Sequence, residues 1–78
     1  DPKLDQEADR VALYLLARAG LDPALAIKTL EKLSTAYPPT VTNAYTASHP
    51  WTAKRGSLMQ ATLAEIRQKQ ATRKPLLP

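Results

Sequence analysis

Two Asp-Pro pairs, at residues 1–2 and 22–23, do most to limit how this chain can fold. An aspartate before a helix accepts a hydrogen bond from an otherwise unpaired backbone N–H, and a proline in the first helical position has no N–H to leave unpaired. Each pair therefore predicts a helix start. Gly20 stands just before the second pair, where a helix commonly ends in a left-handed residue. The first helix is thus predicted to turn tightly into the second.

The sequence predicts an all-α fold of three helices, because apolar residues recur at spacings of three and four and no segment alternates convincingly as a strand does. The His49-Pro50 pair predicts the third helix start, with Pro50 in the first turn and His49 at or near the N-cap. The helices are predicted over residues 3–19, 23–35 and 50–70. For the first helix, the predicted buried stripe comprises Leu4, Ala8, Val11, Ala12, Leu15, Leu16 and Ala19.

Two other segments are predicted to lack regular structure. Residues 34–49 hold a Pro-Pro pair and several threonines, which predicts a long loop between the second and third helices. A loop of this length in a small unit is more often functional or mobile than a plain connection. Residues 72–78 are predicted to form a flexible tail. The helical unit is therefore residues 1–71.

Composition excludes several classes of site and partner. The chain has no cysteine, so disulfides and thiolate metal sites are excluded, and no apolar run is long enough to cross a membrane. The net charge is +4, but residues 67–78 contain four basic residues and no acid. Without those four, seven basic residues balance seven acidic ones. We therefore attribute the basic end to a helix C-terminus and expect no nucleic-acid partner.

Three acids lie at alternate positions early in the first helix. At about 100° per residue, Asp5 and Asp9 share one edge of the helix, whereas Glu7 points to nearly the opposite side. Asp5 and Asp9 are therefore expected at the border of the core and Glu7 in water. One interpretation is that all three simply favour the positive end of the helix dipole. The other is that Asp5 and Asp9 form the edge of a metal site.

Two basic positions complete the set of candidate functional residues. Arg55 lies on the apolar side of the third helix, so it must either pair with an acid, Asp5 or Asp9, or extend its head into solvent. His49 is the only histidine. Taken alone it is a loop or capping residue, because a zinc site needs several converging ligands.

In order and spacing, these segments resemble the C-terminal part of the HtpX/CAAX-prenyl-protease family of zinc metallopeptidases, and BepA-like and LoiP-like members in particular. Three motifs carry the resemblance over nearly the whole chain: Ala8-Asp9-Arg10, Ala19-Gly20-Leu21-Asp22-Pro23, and Ser48-His49-Pro50 followed by Arg55. In that family an HExxH helix supplies two zinc ligands and the general base, and a later acid supplies the third ligand.

The resemblance implies a role for each candidate residue. Asp5 falls at the position of the third zinc ligand, although the family ordinarily has glutamate there. Asp9 corresponds to the acid that orients the site, with Arg55 as its salt-bridge partner. His49 corresponds to the His-Pro histidine beside the metal, where it would steady the transition-state oxyanion or occupy an open coordination position. The loop over residues 34–49 would act as a lid.

The HExxH segment is not among these residues, and with it two ligands and the base are missing. The chain alone is therefore expected to be inactive and to bind zinc weakly or not at all. Its implied partners are the HExxH half of the peptidase domain and a protein or peptide substrate. The bacterial periplasm or cell envelope is suggested by the resemblance alone. The alternative is a non-catalytic helical protein-interaction module, and exposed apolar helix faces could also support a homo-oligomer.

Overall fold

A computed structural model describes residues 1–36 and 49–78 and is all-α within them, which confirms the predicted fold class. Helix α1 spans Pro2–Arg18, α2 spans Pro23–Ala36 and α3 spans Ala53–Ala71. Residues 34–36 of the predicted loop belong to α2. The remainder of that loop up to residue 48, and with it most of the expected lid, lies outside the described residues.

Both Asp-Pro pairs begin helices, as predicted. The Asp1 side chain accepts a hydrogen bond from the Lys3 amide at 3.0 Å, and the Asp22 side chain accepts one from the Ala24 amide at 3.0 Å. In each case the following proline occupies the first helical position, so the capping carboxylate satisfies one of the few remaining backbone donors.

The turn between α1 and α2 closes at Gly20. This residue has a φ of +80°, a left-handed conformation that glycine adopts without steric cost. The Gly20 amide donates to the carbonyl of Ala17 at 3.0 Å, and the Leu21 amide donates to that of Leu16 at 3.0 Å. These two bonds form a Schellman motif, which ends α1 and directs the chain into α2.

Helix α3 begins three residues later than the His49-Pro50 pair predicts. Thr52 is the N-cap, because its hydroxyl accepts a hydrogen bond from the Arg55 amide at 3.1 Å. Its extended backbone, with φ −129° and ψ 158°, is typical of an N-cap. The His-Pro pair therefore belongs to the segment that leads into the helix.

The core lies where the three helices meet. Its fully buried side chains are Leu13 and Tyr14 of α1, Ile27 of α2 and Ile66 of α3. Around them, the remaining members of the core and the partly buried apolar residues that pack against it are Ala17, Met59, Leu63, Ala24, Ala26, Leu30, Trp51 and Leu76.

The buried face predicted for α1 is wrong. Of the predicted stripe only Leu16 is partly buried, and Leu4, Val11 and Leu15 are 64%, 46% and 58% exposed. The three alanines of the stripe are exposed as well. Helix α1 is apolar on two sides, and the structure buries the side that carries Leu13 and Tyr14. The spacing of apolar residues does not indicate which of two apolar sides is buried. Polar contacts between α1 and α3 distinguish the two sides.

The residues after α3 contact the rest of the fold. The Lys69 side chain donates a hydrogen bond to the Leu77 carbonyl at 2.6 Å, and Leu76 packs against the core. Arg73 has a φ of 55° and ends α3 in a second Schellman motif, in which the Lys74 amide donates to the Lys69 carbonyl at 2.8 Å. Flexibility of residues 72–78 stays a prediction.

Candidate functional site

A buried ion pair between α1 and α3 forms the base of the candidate site. Arg55 Nε donates to Asp9 Oδ2 at 2.6 Å, and Arg55 Nη2 donates to Asp9 Oδ1 at 2.9 Å. The two side chains are only 9% and 11% exposed. This two-pronged geometry matches the planar guanidinium to both carboxylate oxygens, so the pair fixes the first turn of α3 against the second turn of α1.

The same guanidinium holds the chain that precedes α3. Arg55 Nη1 donates to the backbone carbonyl of His49 at 3.1 Å. Its guanidinium also lies 5.8 Å from the centre of the Trp51 ring, within the range of a cation–π contact. Arg55 therefore joins Asp9 to the His-Pro segment, and the position of that segment depends on the buried pair.

His49 and Asp5 meet directly. His49 Nδ1 lies 2.5 Å from Asp5 Oδ1, with 37% of the imidazole and 19% of the carboxylate exposed to solvent. Asp5 is one helical turn before Asp9 on α1, so the two acids restrain the His-Pro segment at two points, one directly and one through Arg55. Asp5 holds the His49 side chain, and Asp9 holds its backbone through Arg55.

The structure thus brings together all four candidate residues that the sequence indicates. Asp5, Asp9, His49 and Arg55 form one continuous hydrogen-bonded cluster. Glu7 lies outside it and is exposed, as the helical geometry predicts. Of the two acids proposed as partners for Arg55, the structure pairs it with Asp9.

A second polar cluster between α1 and α3 is not predicted from the sequence. Arg10 donates from both terminal nitrogens to Glu65, at 3.1 and 2.8 Å, and the Tyr14 hydroxyl donates to the same carboxylate. Lys69 Nζ lies 3.4 Å from Glu65 and 4.8 Å from the centre of the Tyr14 ring. The sequence signal for it is the spacing of four residues in Arg10–Tyr14 and in Glu65–Lys69, which places each pair on one helix face.

This second cluster keeps Glu65 ionised. The hydrogen bonds from Arg10, and after them the one from Tyr14, lower the pKa of the Glu65 carboxyl to about 2. Arg10 and Glu65 are more than one third exposed, so solvent weakens their attraction. The cluster joins two helices and lies apart from His49. We regard it as a structural contact that selects which side of α1 faces α3.

The donors near His49 are of the kinds that zinc accepts. Zinc is bound in proteins by imidazole nitrogen and carboxylate oxygen, both present in the Asp5–His49 pair. The hydrogen bond between the two side chains joins Asp5 Oδ1 to His49 Nδ1. Asp5 Oδ2 and His49 Nε2 do not take part in it. Within residues 1–36 and 49–78, no three His, Cys, Asp or Glu side chains are grouped to hold a metal. A zinc centre here needs further donors.

Comparison with family models, with curated proteins and with solved structures gives no match for this chain. Among the helices that the structure describes, none is both long and apolar enough to span a membrane. The chemical meaning of the cluster therefore depends on its own geometry and on the sequence motifs that contain its residues.

Proposed function

We propose that this chain is the C-terminal helical portion of a zinc endopeptidase of the HtpX type. The single observation that carries the proposal is the contact between Asp5 and His49 above the buried Asp9–Arg55 pair. The motif resemblance assigns these residues to one centre from their sequence positions alone, although His49 lies 44 residues after Asp5 in the chain. Their meeting supports that assignment.

In the proposed enzyme each residue has a distinct task. Asp5 supplies a carboxylate ligand, and His49 supplies an imidazole beside the metal that can donate a hydrogen bond to the developing oxyanion. Asp9 and Arg55 are positioning residues, because their pair lies behind these groups and fixes both the helix and the His-Pro segment. When bound, zinc supplies an activated water for peptide-bond hydrolysis.

Aspartate in place of glutamate at position 5 is compatible with this arrangement if α1 lies closer to the metal. An aspartate side chain is one methylene shorter, so its carboxylate remains nearer the helix axis. The contact with His49 holds that carboxylate in a defined orientation. The missing donors and the general base would come from an HExxH segment of the peptidase domain, which would pack beside Asp5.

The exposed apolar faces favour a second candidate function, a non-catalytic helical module that binds a partner protein. Leu4, Val11 and Leu15 on α1, and Leu21 and Leu25 near the start of α2, are each close to half exposed or more. A row of exposed large apolar side chains commonly marks an interaction surface. The two candidate functions can be distinguished because a zinc endopeptidase requires an HExxH segment and an interaction module does not.

The experiment begins with the coding sequence upstream of Asp1. An HExxH within the same open reading frame supports the peptidase, and its absence supports the interaction module. The longer protein is then assayed for bound zinc and for proteolysis of an unfolded protein substrate. Asp5→Ala is expected to abolish metal-dependent proteolysis, whereas Glu7→Ala, on the same helix but exposed, serves as the matched control and is expected to be neutral. Sensitivity at Glu7 instead of Asp5 would refute the ligand assignment.

A further inference from the structure

The chain between His49 and α3 is packed against the first turn of that helix through Trp51. The Trp51 ring lies directly over Gly56, so closely that a Cβ at position 56 would come within 3.0 Å of ring atom Cζ2 and 3.6 Å of Cε2. A separation of 3.0 Å is shorter than ordinary carbon–carbon contact. Gly56 therefore forms a notch in the helix surface that admits the ring.

Gly56 has no other evident reason to be glycine. Its φ is not in the positive range, where glycine would be required, and glycine is less favourable than alanine inside a helix. The amide of Gly56 donates an ordinary helical hydrogen bond to the Thr52 carbonyl at 3.0 Å. The close approach of the Trp51 ring is thus the feature of the structure that accounts for the residue.

Trp51 and His49 are joined by a short segment of restricted backbone. Only Pro50 separates the two residues, and proline fixes its own φ and restricts the backbone of the residue before it. At the His49 end, Arg55 Nη1 holds the backbone carbonyl, and the same guanidinium lies near the Trp51 ring. The backbone between the two residues therefore has little freedom to take up a displacement of Trp51.

We propose that Trp51 is a positioning residue for His49, seated by the Gly56 notch so that the imidazole reaches Asp5. The significance of that position for catalysis rests on the proposed function, whereas the coupling between Trp51, Gly56 and His49 does not. A bulkier residue at position 56 displaces the ring, and the displacement moves His49 Nδ1 away from Asp5 Oδ1.

The test uses NMR of the 78-residue chain without metal, which keeps it independent of any zinc chemistry. The readouts are the nuclear Overhauser effect between the His49 ring and the Asp5 β-protons, and the chemical shifts of the His49 ring. Gly56→Ala is expected to shift these resonances and to remove the Overhauser effect. Ser57→Ala, at the next and exposed position of α3, is the matched control and leaves both unchanged. Amide resonances of the core residues Leu13 and Ile66 report whether the variant is folded.

Rescue separates positioning from a general loss of structure. Trp51→Phe shortens the ring and removes Cζ2, so the double variant Trp51→Phe with Gly56→Ala is expected to regain the His49–Asp5 contact. If Gly56→Ala fails to fold, Trp51→Ala removes the ring without a clash and is expected to lose the same Overhauser effect. The proposal is overturned if a folded Gly56→Ala, or in its place a folded Trp51→Ala, keeps the wild-type His49–Asp5 signals. Retention of the signals would refute the positioning role of Trp51 but would not bear on zinc binding. Conversely, if the signals are lost and the longer protein proves to have no zinc-dependent activity, the positioning role is supported and the proposed function is refuted.

Discussion

Removal of the Asp9 carboxylate tests whether the Asp9–Arg55 pair supports both the fold and the site. Asp9→Ala leaves the Arg55 guanidinium without its two-pronged partner at a position where the side chain is 9% exposed. Breaking a buried pair in this way typically costs about 3–5 kcal/mol, mainly because the remaining charge is uncompensated. Arg55 keeps its bond to the His49 carbonyl and its contact with Trp51, so we expect about 3 kcal/mol, at the lower end of that range.

This loss is large for a chain of 78 residues, since domains of this size have a free energy of unfolding of only about 4–12 kcal/mol. It corresponds to a fall in melting temperature of about 12–24 °C. Urea and thermal unfolding followed by far-UV circular dichroism measure both quantities. Glu7→Ala removes an exposed acid from the same helix and is the control, with an expected change within about 0.5 kcal/mol.

The double variant Asp9→Leu with Arg55→Met distinguishes stability from positioning. Because it replaces the pair with apolar side chains of similar size, its stability is expected to lie near that of the unmodified chain or above it. The His49 carbonyl nevertheless loses its donor, so the His49–Asp5 contact should weaken although the fold is intact. A cost below about 1 kcal/mol for Asp9→Ala would mean that the pair is solvated and would refute this reasoning.

Two further predictions concern contacts outside the site. Because the pKa of Glu65 is lowered to about 2, its contribution to stability is complete above the unfolded-state pKa of about 4.3 and is lost as the pH falls towards 2. Allowing for exposure, we expect about 1 kcal/mol of acid-sensitive stability, absent in Glu65→Gln and measured by urea unfolding between about pH 5 and pH 2. Arg73→Gly should raise the stability by about 0.5–1 kcal/mol, since a non-glycine residue with φ 55° is strained. An unchanged or lower midpoint of unfolding would contradict that explanation.

The helices could be predicted because their ends are determined by local chemistry. Asp1 and Asp22 cap the helices that follow them, and Gly20 closes the turn, through interactions spanning only a few residues. The predicted start of the third helix is wrong for the same local reason. His49-Pro50 carries one start signal, but Thr52 is the better cap because its hydroxyl reaches the Arg55 amide.

The buried face of α1 could not be predicted locally, because it is decided by partners on another helix. Val11 and Leu15 are as apolar as Leu13, so periodicity alone favours neither side. Asp9 finds Arg55 and Arg10 finds Glu65 only on the side that faces α3, and each would lose its partner if α1 were rotated. A partner for Arg55 on α1 was one of two outcomes that its apolar position allowed, because a buried charge must be paired, and only the motif resemblance implied Asp9 rather than Asp5. The Glu65 cluster was not foreseeable, since its members are partly exposed and can remain solvated.

The row of exposed apolar side chains on α1, formed by Leu4, Val11 and Leu15, is relevant to the proposed function. About half or more of Leu4, Val11 and Leu15 is in water, and covering this row would contribute about 1 kcal/mol for each side chain. Asp5 lies roughly 80–120° around the helix from the members of the row, and Ala8 lies between them. A segment broad enough to cover both the row and Ala8 would reach the Asp5 carboxylate. This is the place where the zinc endopeptidase proposal needs its missing ligands, so one covering helix would meet both the packing requirement and the chemical one.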